Sequence, residues 1–223
     1  MISNAKKLAA EKAVEFVQDG MIVGLGTGST SFFAIHRLAE RIEQEGLNMG
    51  AVSSSKNSEE LALQLGIPLI SFAEIDSIDL TIDGADEVDG EFNLIKGGGG
   101  ALLREKILAS NSRRFIVIVD ESKVVNRLGQ FPLPVEIVPF ATELTIRNLG
   151  RLACTPIVRM AHGKPFVTDN GNWIIDCHFG EIVDPAALGG QFKAIAGVVE
   201  HGLFLGMTDT VAVGHMDGTT RFL

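Results

Sequence analysis

Cysteine is scarce in this chain of 223 residues, and the two that it has, Cys154 and Cys177, stand apart in the sequence. Their spacing matches neither a metal-binding motif nor a redox pair, which argues against a disulfide scaffold and against a zinc site. Reduced thiols are typical of an intracellular compartment. We therefore expect a cytoplasmic protein.

An excess of basic residues is also lacking, since the formal net charge is -9 and the pI is near 5.0. Such a charge repels nucleic acid and anionic membrane surfaces, so we expect neither as a partner. No apolar stretch approaches the length of a membrane span, and the N-terminal segment lacks the apolar core of a signal peptide. Secretion and membrane insertion are not expected.

Hydrophobic residues, in contrast, make up 46% of the chain, which is ample for a packed core. A first helix that ends at Gly20 is followed by alternating strand and helix patterns. The pattern predicts strands over 21–25, 50–54, 68–71, 79–82 and 114–119, and helices over 30–45, 58–65 and 101–109. This alternation is typical of an α/β fold with a Rossmann-like, mostly parallel sheet flanked by helices.

The pattern changes near residue 130, where Phe131-Pro132-Leu133-Pro134 interrupts it. A βαββαβ order follows to about residue 205 and predicts a second, smaller α+β domain of the ferredoxin-like type. A last strand over 210–214 is expected to return to the main sheet. The predicted division is an α/β catalytic domain of residues 1–130 and 207–223 and a small α+β domain of residues 131–206.

Within the small domain, Thr168-Asp169-Asn170-Gly171-Asn172 has the composition of a tight turn. Asn-Gly readily adopts positive φ angles, which two-residue hairpin turns require. We therefore predict a β-hairpin that joins strands over 164–167 and 173–177.

The first candidate site is the loop Gly24-Leu25-Gly26-Thr27-Gly28-Ser29-Thr30, between a predicted strand and a predicted helix. Unpaired N–H groups at a helix N-terminus favour an anion such as a phosphate. The loop fails the dinucleotide fingerprint, because Ser29 stands in place of the last glycine, and it lacks the lysine of a Walker A motif. A plain tight turn is the alternative.

The second candidate is the acidic run from Asp83 to Asp89, which follows the strand predicted over 79–82. Open α/β sheets bind ligands at this carboxyl edge, which favours a role in chemistry for Asp83 and Asp86. A divalent metal is the alternative ligand, although the spacing is not that of an EF-hand and no histidine lies nearby. We interpret Glu87 and Asp89 as solvated loop charges.

The third candidate is the run Lys96-Gly97-Gly98-Gly99-Gly100, which leads into the helix that carries Glu105. Four glycines allow the backbone to approach a ligand closely, and they lose conformational entropy without adding a side chain to the core. A flexible linker is the alternative, but linkers seldom continue directly into an amphipathic helix, here with Leu102, Leu103 and Ile107 on its apolar face.

Lys123 follows the strand predicted over 114–119, where its ammonium is placed to neutralise an anionic ligand, and an ordinary surface lysine is the alternative. The histidines are scattered and are interpreted as structural or exposed: His36, His162, His178, His201 and His215. Lys7, on the first helix, is left out of the predicted site because exposed helical lysines are common.

These segments together resemble the ribose-5-phosphate isomerases of the A type. The resemblance rests on blocks over 24–30, 53–55, 83–87 and 96–106, continues through Glu121-Ser122-Lys123 and residues 129–136 and 167–172, and covers nearly the whole chain. One departure is Gly100, where some family members carry alanine. The resemblance implies reversible, cofactor-independent conversion of D-ribose 5-phosphate and D-ribulose 5-phosphate in the non-oxidative pentose phosphate pathway, by a homodimer or homotetramer.

Residue roles are likewise implied by the resemblance. Glu105 corresponds to the proton acceptor, and Asp83, Asp86 and Lys96 are the further catalytic candidates. The implied contacts to the phosphosugar substrate are Thr27, Gly28, Ser29, Thr30, Asp83, Gly84, Ala85, Asp86, Lys96, Gly97, Gly98, Gly99 and Lys123. No metal ligand and no cofactor are expected.

The chemistry requires a base that moves a proton between C1 and C2 through a cis-enediolate, with donors that stabilise the developing oxyanion. Three alternatives are kept: a non-catalytic sugar-phosphate sensor, a deaminating isomerase on a related scaffold, and a metal-dependent isomerase that works by hydride shift. Release of ammonia, or loss of activity in a chelator, distinguishes the latter two from a metal-independent isomerase.

Overall fold

The structure is a computed structural model that describes residues 2–223. Over these residues the helices are α1 (Ile2–Val14), α2 (Ser29–Glu45), α3 (Lys56–Gln64), α4 (Leu102–Ser110), α5 (Thr142–Gly150) and α6 (Pro185–Lys193), with short 3₁₀ turns at Phe72–Glu74 and Glu121–Lys123.

The strands, in chain order, are β1 (Ile22–Leu25), β2 (Gly50–Ser53), β3 (Leu80–Gly84), β4 (Glu87–Val88), β5 (Leu94–Ile95), β6 (Phe115–Asp120), β7 (Leu133–Ile137), β8 (Thr155–Val158), β9 (Met160–Ala161), β10 (Lys164–Pro165), β11 (Trp173–His178), β12 (Val198–His201), β13 (Leu203–Phe204), β14 (Thr210–Gly214) and β15 (Thr220–Phe222).

The chain divides into two compact units. The first comprises residues 2–85, Arg104–Val124 and Met207–Leu223, and the second comprises Asp86–Leu103 and Val125–Gly206. The sequence-based division differs at 86–103 and 125–130, which it assigns to the larger domain. The difference arises because β4 and β5 form a sheet with β13, and the periodicity of two-residue strands is too short to indicate a partner.

In the first unit a six-stranded sheet has the order β15-β14-β6-β3-β1-β2. Its strand pairs are parallel except for the antiparallel pair of β14 and β15. Every residue of β6 is buried, as expected for the interior strand of a parallel sheet. The predicted α/β class is confirmed, and 210–214 does return to this sheet as β14.

The second unit contains a four-stranded antiparallel sheet with the order β12-β7-β11-β8. With α5 between β7 and β8 and α6 between β11 and β12, the chain order is the predicted βαββαβ of a ferredoxin-like domain. Its core includes Leu133, Val135, Ile137, Ile175 and Phe192.

Two local predictions were wrong, and a third holds only in part. The first helix ends at Val14 rather than at Gly20, and 68–71 forms only a single bridge from Leu69 to Ala51. The predicted hairpin forms at its turn, where Thr168 N–H donates to the Asn172 carbonyl and Val167 makes a single antiparallel bridge with Trp173. It extends no further, because β10 pairs with β9 while β11 pairs with β7 and β8. Local turn chemistry does not reveal that an inner strand finds two more distant partners.

Parallel pairing of β1, β3 and β6 determines where the loops of the first unit emerge. These neighbouring strands end at Leu25, Gly84 and Asp120, so their carboxyl ends meet at one edge of the sheet. The phosphate-loop candidate, the acidic run and the turn that carries Lys123 all begin there. This is the edge at which open α/β sheets bind ligands.

Candidate active site

The loop between β1 and α2 is held by Asp83, a residue that is 1% exposed. The Asp83 Oδ1 atom accepts hydrogen bonds from Thr27 N–H at 3.0 Å, Ser31 Oγ at 3.1 Å and Gly84 N–H at 2.7 Å. A Cβ at Gly26 would lie 2.1 Å from the same oxygen, so only glycine fits there. Asp83 therefore orders the loop in addition to any role in chemistry.

The Thr27 hydroxyl lies in a cluster of serine hydroxyls that follows β2. Its Oγ1 is 2.7 Å from Ser54 Oγ and 2.9 Å from Ser55 Oγ, and Ser58 Oγ donates to the Gly26 carbonyl at 2.6 Å. Of the serines of 53–55, Ser54 and Ser55 thus hold the loop through Thr27. Sequence reasoning missed Ser58, which is buried in the first turn of α3.

The outer part of the loop presents Gly28, Ser29 and Thr30 at the start of α2. Gly28 precedes the helix with a φ of 103° and no side-chain cap, which leaves the first N–H groups of a 17-residue helix for another acceptor. Lys6 Nζ, from α1, donates to Ser29 Oγ at 2.9 Å. Backbone donors and a cation therefore meet at this helix N-terminus, the arrangement that binds a phosphate.

Lys6 rather than Lys7 is the lysine of α1 that reaches the loop. Lys7 is exposed and pairs with Glu11 at 3.6 Å. The signal lay in the helical spacing, since the buried stripe that includes Ala5 and Ala9 leaves position 7 on the solvent side. Sequence reasoning considered only Lys7 and missed Lys6.

Glu87 is not the solvated charge that we expected. It is 3% exposed, and its carboxylate accepts hydrogen bonds from Gly129 N–H at 2.7 Å and Phe131 N–H at 2.6 Å. Asp89 is half-buried and accepts from the N–H groups of Glu91 and Asn93, both at 2.9 Å. Both carboxylates therefore shape the backbone of the second unit.

The glycine run forms a turn in which Gly100 N–H donates to the Gly97 carbonyl at 2.9 Å. Gly97 and Gly100 have φ angles of 105° and 84°, a region that favours glycine. Gly98 N–H donates to Asp86 Oδ2 at 2.7 Å, and a Cβ at Gly98 would lie 2.5 Å from Asp86 Oδ1. The run is an ordered loop and not a flexible linker.

Lys96, which begins the run, is 2% exposed. Its Nζ lies 5.4 Å from the centroid of the Phe204 ring, within the range of a cation–π interaction. A buried ammonium is unusual in a protein interior, because its desolvation is costly. The second unit thus supplies a buried cation, Asp86 and the glycine amides from one short stretch of chain.

Glu105 lies in the first turn of α4 and is 4% exposed. The helix N-terminus stabilises a negative charge at this position. The buried side of α4 includes Leu102 and Leu108, whereas Ile107 is 48% exposed, so the predicted apolar face was wrong at Ile107.

Lys123 ends the 3₁₀ turn that follows β6. Asp120 caps this turn by accepting hydrogen bonds from the N–H and the hydroxyl of Ser122. Glu121, in the same turn, is 2.6 Å from His215 Nδ1 across the end of β14. The turn that presents Lys123 is therefore anchored on both sides, and His215 has a structural partner that the sequence did not indicate.

Among residues 2–223, no group of three or more His, Cys, Asp or Glu side chains is arranged to hold a metal ion. In the same part of the chain, no helix is long and apolar enough to cross a membrane.

The thiols of Cys154 and Cys177 lie close enough to hydrogen-bond, although their sequence spacing suggested no pairing. This bond and burial raise the pKa of Cys177 well above its usual value.

Comparison with known proteins shows which family the chain resembles. Residues 50–218 match the family model of ribose 5-phosphate isomerase A (phosphoriboisomerase A). The ribose-5-phosphate isomerase A of Bacillus mycoides (strain KBAB4) is 52% identical over 220 residues, which cover 98% of this chain and 99% of the relative. That of Sphingopyxis alaskensis (strain DSM 13593 / LMG 18877 / RB2256) is 52% identical over 212 residues, 95% of this chain and 92% of the relative.

Solved structures agree. The ribose 5-phosphate isomerase of Plasmodium falciparum superimposes with a TM-score of 0.96 at 42% identity and covers 99% of this chain and 98% of that one. A D-ribose-5-phosphate isomerase in complex with phospho-erythronic acid also gives a TM-score of 0.96, at 40% identity, and covers 100% of this chain and 99% of that one.

The fold and these similarities define the class of protein, which is an isomerase with an α/β fold. More particularly, the chain belongs to the ribose-5-phosphate isomerase A family, which interconverts ribose 5-phosphate and ribulose 5-phosphate in the pentose phosphate pathway.

Proposed function

We propose that Glu105 is the base of this isomerisation and that it moves a proton between C1 and C2 of the open-chain sugar through a cis-enediolate. The observation that carries the proposal is the burial of this carboxylate, 4% exposed, in the first turn of α4. One carboxylate serves both directions, since it removes the proton from one carbon and returns it to the other.

A carboxylate is a weak base toward a carbon acid, so the site must stabilise the negative charge that develops on the sugar oxygen. We assign this role to the Lys96 ammonium and to the backbone N–H groups of Gly97 and Gly99, whereas the Gly98 N–H, which donates to Asp86 Oδ2, holds the loop in place. The 2% exposure of Lys96 supports the assignment, because a desolvated cation interacts more strongly with an oxyanion.

Asp86 orients this loop in the proposal, since its Oδ2 accepts the Gly98 N–H. Asp83 is assigned to proton transfer at the sugar oxygens, including the opening of the furanose ring. Gly84 and Ala85, between the two aspartates, are assigned as backbone contacts to the substrate.

The substrate phosphate is assigned to the N-terminus of α2. The N–H groups of Gly28, Ser29 and Thr30 and the hydroxyls of Ser29 and Thr30 would donate to its oxygens, and Lys6 and Lys123 would neutralise its charge. Thr27 borders the phosphate but orders the loop, because its N–H donates to Asp83 Oδ1 and its hydroxyl donates to Ser55 Oγ. The hydrogen bond from Lys6 to Ser29 supports this assignment. A phosphate at a helix N-terminus gains from both the unpaired N–H groups and the helix dipole.

The test measures the formation of ribulose 5-phosphate from ribose 5-phosphate by EDTA-treated protein, with the variants Glu105→Gln and Glu60→Gln. Glu60 is an exposed residue of α3, so it controls for the chemical change alone. We expect turnover in the wild type and in Glu60→Gln, and a loss of roughly 100- to 10,000-fold in kcat in Glu105→Gln.

Binding of phospho-erythronic acid, whose carboxylate resembles the planar enediolate, serves as the second readout. Retained affinity in Glu105→Gln, measured by calorimetry, would assign the loss to catalysis rather than to folding. Near-normal turnover in Glu105→Gln would exclude it as the base. Three further outcomes would favour the alternatives. Loss of wild-type activity in EDTA would favour a metal-dependent hydride shift, and release of ammonia from an amino sugar phosphate would favour a deaminase. Binding of ribose 5-phosphate without turnover would favour a sensor.

We further propose a homodimer or homotetramer in the cytoplasm. The 84% exposure of Phe140 and the 81% exposure of Val183 support assembly, since both are apolar side chains that a partner would cover. The two thiols are not joined in a disulfide, which fits a reducing compartment. Light scattering on the purified protein measures the mass, and a monomeric mass would overturn the proposed assembly.

A further inference from the structure

The guanidinium group of Arg159 connects the glycine loop to the sheet of the second unit. Its Nε donates to Asp176 Oδ2 at 3.0 Å, and its Nη2 donates to Asp176 Oδ1. Its Nη1 donates to the carbonyl of Gly97 at 2.8 Å and to that of Gly98 at 3.1 Å. Such a bidentate pair with a carboxylate fixes the plane of the guanidinium.

The position of Arg159 itself is fixed. The residue lies between β8 and β9, its N–H donates to the Ile174 carbonyl of β11 at 2.8 Å, and its side chain is 15% exposed against 21% for Asp176. Asp176 stands on β11, Arg159 is bonded through its backbone to the same strand, and both side chains are largely shielded from water, which makes the pair less mobile than a surface ion pair.

A second contact comes from the other end of the same segment. Phe166 N–H donates to the Arg159 carbonyl at 2.8 Å, so the two residues bracket β9 and β10. The Phe166 ring lies against Gly100, where a Cβ would be 2.4 Å from its Cζ. The segment from Arg159 to Phe166 thus contacts the glycine loop near both of its ends.

These contacts determine the direction of the loop amides. Because a peptide group is planar and trans, a carbonyl that is held on one side places the N–H of the next residue on the opposite side. The bonds from Arg159 to the carbonyls of Gly97 and Gly98 therefore direct the N–H groups of Gly98 and Gly99 away from Arg159, that of Gly98 onto Asp86 Oδ2 and that of Gly99 to the position proposed for the oxyanion. Glycines carry no side chain with which packing alone would fix this orientation.

We infer that Arg159 is a positioning residue of the isomerase, which holds the amides of the glycine loop in the orientation that stabilises the oxyanion. The inference rests on the proposed role of the glycine loop. Asp176 acts through Arg159 and keeps its guanidinium in plane. A lysine would be a poor replacement, because one ammonium group lacks the fork that serves a carboxylate and two carbonyls at once.

The experiment compares the kcat and KM of Arg159→Ala with those of Arg41→Ala. Arg41 is a matched control in the first unit: its Nη1 donates to the carbonyls of Val14 and Val17 at 2.8 and 2.9 Å, and its Nε donates to Glu45 at 2.8 Å. Both substitutions remove a half-buried guanidinium that holds two carbonyls and a carboxylate, but only one of the two touches the loop.

At an assay temperature well below the Tm of the variant, we expect Arg159→Ala to lower kcat about 100-fold, the size of loss that misplaced catalytic groups cause. We expect added guanidinium ion to restore part of this kcat. Arg41→Ala should lower the Tm and keep the wild-type kcat. Equal kcat values in the two variants, or a loss in Arg159→Ala that guanidinium does not relieve, would overturn the inference.

If Arg159→Ala does not fold, Arg159→Lys replaces it, and a wild-type kcat in that variant also overturns the inference. Lys96→Met, measured in parallel, separates the two proposals. A wild-type kcat in Lys96→Met would reject the catalytic role of the loop and the inference with it. Loss of kcat in Lys96→Met beside a wild-type kcat in Arg159→Ala would reject the role of Arg159 alone.

Discussion

The buried carboxylate of Glu87 accepts a hydrogen bond from the backbone N–H of Gly129 at 2.7 Å, across 42 positions of the chain. The N–H of Phe131 binds the other carboxylate oxygen at 2.6 Å. Glu87 lies in β4, directly after the two aspartates of the proposed site. A residue in the acidic run therefore fixes a distant loop of the second unit, and its role is structural.

Glu87→Gln is expected to destabilise the protein by about 1–3 kcal/mol, because the amide group presents a donor to a backbone N–H where the carboxylate presented an acceptor. Urea unfolding measures the change in the free energy of unfolding. Glu91→Gln is the control, since Glu91 is an exposed residue of the adjacent loop. Equal stability of the two variants would show that the bonds to Gly129 and Phe131 contribute nothing.

Much of the fold and many of the loops of the candidate site could be predicted from the sequence, because the signals that indicate them are local. The strands β1, β3 and β6 are short apolar runs next to glycine or charged residues, and the loops after them carry groups that packing does not explain. Periodicity and residue chemistry are local properties, so they predict elements and loop chemistry well. The βαββαβ order of the second unit was predicted on the same basis.

What the sequence did not reveal depends on contacts between distant residues. From the sequence, Glu87 is interpreted as a loop charge, because nothing local indicates that the N–H groups at positions 129 and 131 donate to it. Arg159 likewise stands in no motif that indicates a ligand. The strands β4, β5 and β13 join one sheet, but each has only two residues, which is too short to show a periodicity in the sequence. A single sequence contains no information about such pairings beyond composition.

Gly98→Ala is expected to impair catalysis while leaving the fold intact. Gly98 is exposed, but a Cβ there would lie 2.5 Å from Asp86 Oδ1 and would displace the carboxylate that accepts its N–H. We expect kcat to fall by about 100-fold as the loop amides shift. Gly90→Ala is the matched control, since a Cβ at Gly90 meets nothing within 4 Å. Similar kinetics in the two variants would contradict the proposed use of the loop.

Lys123→Ala is expected to raise KM with a smaller effect on kcat, because a cation that binds the phosphate contributes equally to the ground state and the transition state. His215→Ala should raise KM less, since it loosens the turn by removing the 2.6 Å contact with Glu121 but leaves the Lys123 charge. Steady-state kinetics measure both effects. His178→Ala is the control, because His178 is exposed in the second unit.

An unchanged KM in Lys123→Ala would remove Lys123 from the proposed phosphate site. An unchanged KM in His215→Ala, beside a raised KM in Lys123→Ala, would show that Asp120 alone is sufficient to hold the turn through its bonds to Ser122.

The two thiols should differ in reactivity although they are neighbours. Cys177, on β11, is fully buried, and its hydrogen bond with the Cys154 thiol, together with burial, raises its pKa, whereas the same bond lowers the pKa of Cys154. A raised pKa means less thiolate at a given pH, and the thiolate is the form that reacts. At pH 8 we therefore expect an aromatic disulfide reagent to label Cys154 in the native protein and to label Cys177 only after unfolding. Cys154→Ser should then show no rapid labelling, and fast labelling of both thiols in the native wild type would contradict the pairing.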